Sequence, residues 1–190
     1  MAISADAMEV AHLIDRLERL ARSGTSDLNP AQWEALRFLG RANRFSRTPA
    51  ALADYLASTR GTVSQTLIAL EQKGYVERRP SARDGRSIDV HLTRDGEETL
   101  KQDPLIGLAR GIELAAGKRI TSLVDVLRNT LRAAIARNDG KAFGVCSSCK
   151  HFRRNASGAS ASPHRCALLN EPLSATDSDA ICAEQEVNAV

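Results

Sequence analysis

The spacing of apolar residues constrains this chain most strongly. Spacing typical of helices is followed by spacing typical of strands, and then by helical spacing again. Between residues 29 and 74, apolar residues recur at helical spacing in three consecutive segments. Residues 75–78 and 88–92 then read as strands, the second with the alternation of a half-buried strand, and a turn-rich basic stretch lies between them. The order helix, short helix, helix and hairpin predicts a winged helix-turn-helix, a mainly α (α+β) fold with a small β-hairpin wing.

Capping residues mark where these predicted helices begin and end. Asn29 is the predicted N-cap of the first helix, and Pro30 lies in its first turn, where proline is favoured. The short second helix opens at Thr48-Pro49, and Ser58-Thr59 separates it from the third. Gly74 ends the third helix, because glycine tolerates the left-handed conformation of a helix C-terminus.

Amphipathic helices are predicted on both sides of this domain. Residues 5–22 carry apolar residues at helical spacing up to a stop at Ser23-Gly24. Residues 105–137 are predicted to continue as helix after a break at Asp103-Pro104, and they carry a long apolar stripe. Little else in the sequence would cover this stripe, so it needs a partner surface. We therefore predict a homodimer built from these flanking helices.

The predicted helix-turn-helix has a polar first turn on its second helix. In this motif that turn faces the base edges of the DNA major groove, where hydroxyl, amide and guanidinium groups find partners. An ordinary helical hairpin with an exposed polar start is the alternative. The candidates for base contacts are Arg60, Thr62, Ser64 and Gln65.

The predicted hairpin carries a local excess of positive charge. Guanidinium groups at the tip of such a loop can enter the minor groove or bind phosphates, which gives affinity with little sequence preference. A solvated basic loop is the alternative for this segment alone. The hairpin and the polar helix start, in this order, favour DNA as the partner. Residues 78–86 contain Arg78, Arg79, Arg83 and Arg86 against one carboxylate, Asp84.

An ordered set of motifs runs through the third helix and the hairpin. It reads Leu67-x-x-Leu70-Glu71-x-Lys73-Gly74-Tyr75-Val76-x-Arg78, then Asp84-Gly85-Arg86, then Leu92-Thr93-x-x-Gly96. This pattern resembles the MarR family of bacterial transcription regulators, and the resemblance extends over roughly residues 5–138. It implies a homodimer whose two winged helices bind the halves of a palindrome in double-stranded DNA.

The same resemblance implies roles for the candidate residues. The polar first turn would face the major groove, and Arg83, Asp84 and Arg86 would lie at the wing, with Arg86 in the minor groove. Asp84 and Arg86 are two positions apart near a strand, so they can share a side. We expect the Asp84 carboxylate to orient the Arg86 guanidinium.

All four cysteines lie close together in the sequence, while the first 145 residues contain none. They are Cys146, Cys149, Cys166 and Cys182. A Cys-x-x-Cys pair offers two thiolates from one tight turn. Two single cysteines, reached after 16 and then 15 intervening residues, can complete a four-thiolate shell. In a reducing cytosol such a group indicates metal ligation or redox chemistry.

The sequence therefore predicts three regions. Residues 1–28 and 100–138 form the dimerisation region, residues 29–99 form the winged helix-turn-helix, and residues 139–190 form a loop-rich, metal-binding C-terminal tail.

The spacing of the cysteines favours an iron-sulfur cluster over zinc. Structural zinc sites most often use two close pairs, and this chain has one. The pattern Cys-x-x-Cys-Lys-His-Phe, Arg-Cys-Ala-Leu-Leu and Ile-Cys is similar to the cluster-binding segment of high-potential iron-sulfur proteins. That resemblance implies a 4Fe-4S cluster, with zinc as the alternative. His151 and His164 lie beside ligand positions and could replace a cysteine, although a supporting or surface role is more common.

Other features limit the class of function. The net charge of +3 is too small to indicate a nucleic-acid partner by itself. No apolar run approaches the roughly 20 residues of a membrane-spanning helix, and no signal peptide is evident, so we expect a cytoplasmic protein without a membrane partner. No Ser-His-Asp grouping, phosphate-binding glycine loop or His-Glu-x-x-His motif indicates an enzyme.

Together these features predict a homodimeric DNA-binding transcription regulator, expected to be a repressor, whose cluster senses redox state, oxygen or iron. Because the tail joins the last dimerisation helix at Asn138-Asp139-Gly140, its order is expected to affect the distance between the two winged helices. Two alternatives remain open. One is the same regulator with structural zinc and a separate small-molecule ligand, and the other is a thiol redox protein that carries a winged helix.

Overall fold

A computed structural model describes residues 2–21 and 27–187 of the chain. The predicted stop of the first helix at Ser23-Gly24 lies outside these ranges. The fold is mainly helical with two small antiparallel sheets, which confirms the predicted α+β class. The helices and strands are α1 (Ala5–Ala21), α2 (Pro30–Arg41), α3 (Pro49–Tyr55), α4 (Arg60–Gln72), β1 (Val76–Pro80), β2 (Ile88–Leu92), α5 (Arg94–Leu100), α6 (Leu105–Ala116), α7 (Ile120–Arg137), β3 (Phe152–Arg153), β4 (His164–Cys166), β5 (Glu171–Leu173) and α8 (Ala175–Asp179).

Helices α2, α3 and α4 and the hairpin of β1 and β2 form the predicted winged helix. The two strands pair antiparallel, from Val76 opposite Leu92 to Pro80 opposite Ile88. One buried apolar cluster joins the three helices to the hairpin. Full burial of each large apolar side chain stabilises the fold by about 1.5–3 kcal/mol. Its most deeply buried members include Leu36, Phe38, Leu39, Leu52, Val63, Leu67, Leu70 and Val90.

The capping residues expected from the sequence are found at the helix ends. The Asn29 side chain accepts a hydrogen bond from the Gln32 backbone N–H at 2.9 Å, and the Gln32 side chain accepts one from the Asn29 backbone at 3.1 Å. The Thr48 side chain caps α3 by accepting from the Ala51 backbone N–H. Gly74 follows α4 with a φ of +78°, in the left-handed region. Local sequence therefore sets where these helices begin and end.

Helix α5 packs very closely on the backbone that leaves α4, and a glycine makes this approach possible. A Cβ atom at Gly96 would lie 2.2 Å from the Tyr75 carbonyl oxygen, well inside contact distance. The Thr93 side chain caps α5 and also donates a hydrogen bond to the Gly74 carbonyl oxygen at 2.6 Å. The Thr93-x-x-Gly96 spacing is thus explained by backbone packing.

Helices α1, α6 and α7 form a second region, in which the structure buries none of the helix residues. Helix α1 lies against α6, and α6 lies against α7. Their large apolar side chains stay accessible, as at Leu20, Leu114 and Leu131. The sequence predicted helix over 105–137, but Gly117, with a φ of +52°, begins a 3-10 turn that divides α6 from α7. Among the described residues, no helix is long and apolar enough to cross a membrane.

The tail contains more regular structure than its sequence indicated. Strands β3, β4 and β5 form an antiparallel sheet, α8 follows them, and a 3-10 turn spans Cys146–Ser148. The strands have only two or three residues, which is too short for an alternating pattern to be recognised.

The tail docks directly on the winged helix, at the loop between α2 and α3. The Ile181 backbone N–H donates to the Arg41 carbonyl oxygen at 2.8 Å, and the Ile181 carbonyl accepts from the Asn43 N–H at 2.9 Å. The Ala183 N–H donates to the Ser46 hydroxyl oxygen at 2.8 Å in a buried contact. Ile181 and Ala183 belong to the same buried cluster as the winged-helix core. The two regions therefore share one core.

Candidate nucleic-acid interface and four-cysteine site

The first turn of α4 carries the residues predicted to contact bases. The Thr59 side chain accepts a hydrogen bond from the Thr62 backbone N–H at 3.1 Å, which fixes the helix start. Arg60, Thr62 and Gln65 are exposed, and Ser64 is half-buried. The structure thus places all four predicted side chains at one end of α4, with three of them open to solvent.

The wing tip is shaped by Asp84 in a way that differs from the sequence prediction. The Asp84 carboxylate accepts a hydrogen bond from the Arg86 backbone N–H at 3.0 Å, and the Asp84 backbone carbonyl accepts one from the Ser87 N–H at 2.8 Å. We expected this carboxylate to orient the Arg86 guanidinium, but it stabilises the turn instead, as short acidic side chains often do. Arg83 and Arg86 are exposed at the tip.

Two of the four hairpin arginines are paired with carboxylates. The Arg78 Nε donates to Glu71 Oε2 at 2.9 Å, and Arg79 pairs with Glu77. A hydrogen bond from Arg78 is the main reason why the pKa of Glu71 lies below its ordinary value. The charge count over residues 78–86 missed both carboxylates, because they precede that window. Among the described ion pairs of the wing, Arg83 and Arg86 have no carboxylate partner.

The structure gathers the cysteines from three parts of the tail. The Cys149 N–H donates to the Cys146 carbonyl oxygen at 2.9 Å, so this pair lies on one turn. Gly144 and Cys182 form an antiparallel bridge, which brings Cys182 beside the segment that leads to Cys146. Cys166 lies on β4, which pairs with the strand that follows Cys149. All four are free thiols, and Cys146 and Cys182 are buried.

The pKa of the Cys146 thiol depends on its burial and on the three other cysteines. Burial and, to a smaller extent, the charges of Cys182, Cys149, Cys166 and Asp177 together raise the pKa of Cys146 to about 12. Four thiols within electrostatic reach can ionise together only when positive charge offsets them. In the described part of the chain, no group of three or more histidine, cysteine, aspartate or glutamate residues is placed to hold a single metal ion.

The two histidines considered as ligands have other partners. His151 Nε2 lies 3.2 Å from Glu186 Oε1, and the Asn155 N–H donates to His164 Nδ1 at 3.2 Å. The His164 ring also packs against the Phe152 ring, with 5.1 Å between the centroids. The four thiols therefore remain the candidate ligands.

No local sequence pattern marked a further group of residues, which joins the tail to the wing. The Arg44 Nη2 donates to the Pro172 carbonyl oxygen, 128 positions away in the sequence. Its Nη1 lies 3.4 Å from the Asp177 carboxylate, and its guanidinium carbon lies 4.6 Å from the centre of the Phe45 ring. Only the folded structure brings these residues together.

Comparison with known proteins identifies the type of winged helix. The sequence model that matches residues 26–87 is that of the MarR family. The winged helix is MarR-like. The match covers α2, α3, α4, β1 and the wing tip of the MarR-like domain, and it includes the residues proposed above to face a partner. No curated protein matches the chain significantly.

Solved structures extend the likeness beyond the MarR-like winged helix. A mutant of MarR from E. coli is 26% identical with a TM-score of 0.53, over 69% of this chain and 98% of that one. FabT from Streptococcus pneumoniae, in complex with DNA, is 25% identical with a TM-score of 0.51, over 68% and 91%. The Multiple Antibiotic Resistance Repressor, MarR, is 25% identical with a TM-score of 0.54, over 69% and 97%. Nearly the whole of each neighbour is covered, so part of this chain has no counterpart in them.

Proposed function

We propose that this protein is a homodimeric DNA-binding transcription regulator whose four cysteines hold an iron-sulfur cluster, and that the presence of the cluster controls DNA binding. The observation that carries the DNA-binding part is the exposed polar first turn of α4 in a MarR-like winged helix. The likeness to FabT in complex with DNA supports the same partner. By analogy with repressors of the family, the cluster-bound form is the one that binds DNA.

Each part of the winged helix has a distinct task in this proposal. Arg60, Thr62, Ser64 and Gln65 offer guanidinium, hydroxyl and amide groups to base edges in the major groove. The turn held by Asp84 presents the exposed Arg86 to the minor groove or to phosphates. The pair of Arg78 with Glu71 ties β1 to α4, so that wing and recognition helix approach DNA as one unit. Paired Arg78 is therefore assigned a structural task.

Selection from a library of random duplexes tests DNA binding. Two recognition helices should select a near-palindrome with half-site centres about 10 base pairs apart, and binding should weaken steeply with salt. Gln65→Ala should change the preferred bases more than the affinity for random duplex. Arg86→Ala should weaken binding to both, whereas Arg154→Ala, at an exposed arginine of the tail, should have little effect. Equal losses on selected and random duplex for Gln65→Ala would contradict the role of Gln65.

The uncovered apolar faces of α1, α6 and α7 support the homodimer. A large apolar surface in water marks an association surface, and a second copy offers the same surface in return. Light scattering at micromolar concentration should give twice the chain mass of 20.5 kDa. A monomer under these conditions would contradict both the dimer and the paired recognition helices.

The donor set of the tail fits an iron-sulfur cluster. Each cysteine of a 4Fe-4S cluster binds a different iron, so its four sulfurs stand farther apart than those around one zinc ion, which lie about 2.3 Å from the metal. Each thiol would release its proton to solvent as its sulfur binds iron. When bound, the cluster supplies positive iron centres that offset the four thiolates and tie the tail segments together.

A buried amide lies where the tail docks on the loop between α2 and α3. The Asn43 side chain is 1% exposed, and its Nδ2 is the unpartnered buried side-chain donor of the described residues. The Asn43 backbone N–H binds the Ile181 carbonyl, directly before Cys182. Leaving such a donor unpaired costs about 1–3 kcal/mol, which a polar group bound at this junction would reduce.

Anaerobically purified protein tests the cluster directly. We expect about four irons per chain and visible absorbance, with weaker DNA binding after iron is removed by a chelator. Cys166→Ser should lower the iron content, whereas Ser147→Ala, on the turn between the first two cysteines, should leave it unchanged. One zinc per chain without colour would overturn the cluster. Iron with unchanged DNA affinity after its removal would overturn only the control of binding.

A further inference from the structure

We propose that Arg44 and Phe45 are positioning residues that connect the order of the four-cysteine tail to the wing of the same chain. This inference rests on the proposed function and identifies the residues through which the tail would act on the wing. The sequence had suggested that the tail acts through the end of α7, by way of the dimer helices. The structure also provides a direct path, because the tail touches the loop between α2 and α3.

On the tail side, Arg44 contacts both elements that surround the cysteines. Its guanidinium donates to the Pro172 carbonyl oxygen on β5 and lies 3.4 Å from the Asp177 carboxylate on α8. Strand β5 pairs with β4, which carries Cys166, and α8 packs against the 3-10 turn that begins at Cys146. A shift of either cysteine-bearing segment therefore moves an acceptor of Arg44.

On the wing side, Phe45 contacts both cationic groups of the path. The guanidinium carbons of Arg44 and Arg83 lie 4.6 and 5.2 Å from the centre of its ring, within cation–π distance. The Arg47 carbonyl accepts a hydrogen bond from the Val90 N–H at 2.7 Å, which ties the loop to β2. A cavity of about 270 Å³ lies between loop and wing, and both Phe45 and Arg83 line it.

These contacts give a physical account of control by the tail. While the tail is ordered, Arg44 is held by its acceptors, and the stack on Phe45 restricts Arg83 to one side of the wing. When the tail loses its order, Arg44 loses its partners on the tail, and Arg83 samples more positions before DNA binds. Ordering the wing on DNA then costs more conformational entropy, so the affinity falls.

The test compares wild type with Arg44→Ala, and uses Arg41→Ala as the matched control at an exposed arginine of the preceding helix. The probe is the duplex that wild type selects from the random library. Arg44→Ala should lower affinity about tenfold while iron content and dimer mass stay unchanged. Iron removal should weaken wild type and Arg41→Ala by about the same factor, but Arg44→Ala by less than about twofold.

Two further measurements separate positioning from direct DNA contact. Arg44→Lys keeps the charge but loses the planar guanidinium, so it should stay as weak as Arg44→Ala. Hydrogen exchange at the Ser87 amide, which binds Asp84 in the wing turn, should speed up in Arg44→Ala and in iron-free wild type, while amides of α4 do not change. Full affinity in Arg44→Lys, or unchanged exchange in the wing, would overturn the proposal.

The outcomes also distinguish this inference from the function on which it rests. If wild type selects no duplex, the proposed function fails, and the exchange measurement still decides whether Arg44 holds the wing. If wild type binds DNA and responds to iron, but Arg44→Ala responds equally, the function stands and the path through Arg44 is wrong.

Discussion

The winged helix and the helical region of α1, α6 and α7 differ in how far one chain buries their apolar side chains. Leu70 of α4 is 0% exposed within one chain, whereas Leu131 of α7 is 59% exposed. The winged helix closes its core with residues of its own chain, including two from the tail. The helical region leaves its apolar stripe open. The difference teaches that one region is stabilised by its own chain, whereas in the proposed homodimer the other would be stabilised by the second copy and hence by protein concentration.

The largest expected effect comes from core leucines in the two regions. Leu70→Ala should lower the free energy of unfolding by about 2–5 kcal/mol, because it leaves a cavity in a closed core. Leu131→Ala should change the stability of the monomer by less than about 0.5 kcal/mol, but should weaken the dimer. Urea denaturation at several protein concentrations and light scattering measure both quantities. A concentration-independent loss for Leu131→Ala that equals the loss for Leu70→Ala would erase the contrast.

A smaller effect is expected from glycines in the two regions. Gly96→Ala should cost about 1–3 kcal/mol, because the new methyl group would meet the Tyr75 carbonyl oxygen and push α5 away. Gly107→Ala on α6 meets no atom within 4 Å and should stabilise the helix by up to about 1 kcal/mol. Thermal unfolding of the two variants, measured side by side, shows whether each substitution lowers or raises the stability. If Gly107→Ala weakens the dimer instead, this glycine lies in the contact between the copies, which would sharpen the comparison.

The smallest effect concerns the ion pair that links the regions. Arg37 on α2 and Asp103 before α6 lie 2.7 Å apart, and their side chains are 18% and 12% exposed. Burial raises the pKa of Asp103, but hydrogen bonds from Arg37 and Leu105 and the charge of Arg37 outweigh it, so this pKa lies below its ordinary value. Arg37→Ala should therefore cost about 1–2 kcal/mol at neutral pH.

The pH dependence of this pair follows from the sign of the shift. A carboxyl group with a lowered pKa in the folded state contributes stability above its unfolded pKa of about 3.9, and loses it as pH falls through the folded pKa. The difference between wild type and Arg37→Ala should thus shrink in acid. Urea denaturation at neutral and acidic pH measures it, and Arg41→Ala serves as the control. A difference that stays constant across this range would assign the effect to packing of the arginine chain.

Local rules account for the parts of the fold that the sequence predicted. Asn29, Thr48 and Gly74 act within a few residues of themselves, so their caps and the helices that they bound were predictable. The division of α6 from α7 at Gly117 was missed, because an isolated glycine inside a helical pattern is often tolerated. Strands β3, β4 and β5 were missed because two or three residues carry no readable period.

The candidate sites divide in the same way. The polar first turn of α4 could be predicted, because its residues are consecutive on one helix. The pairing of Arg78 with Glu71 and the contacts of Arg44 could not, since charge counted along the sequence does not show which carboxylate folds back. The roles of the cysteines and of the DNA-facing residues stay predictions that the experiments above test.

The docking of the tail also affects how the chain folds while it is being synthesised. Ser46 leaves the ribosome 137 residues before Ala183, whose amide it binds. The nascent winged helix must therefore form without Ile181 and Ala183, and its α2–α3 loop stays uncovered until the ribosome has passed both. Contacts so distant along the chain form late in folding. We therefore expect a stalled nascent chain to be cleaved by proteases at this loop, and a finished chain to be protected there.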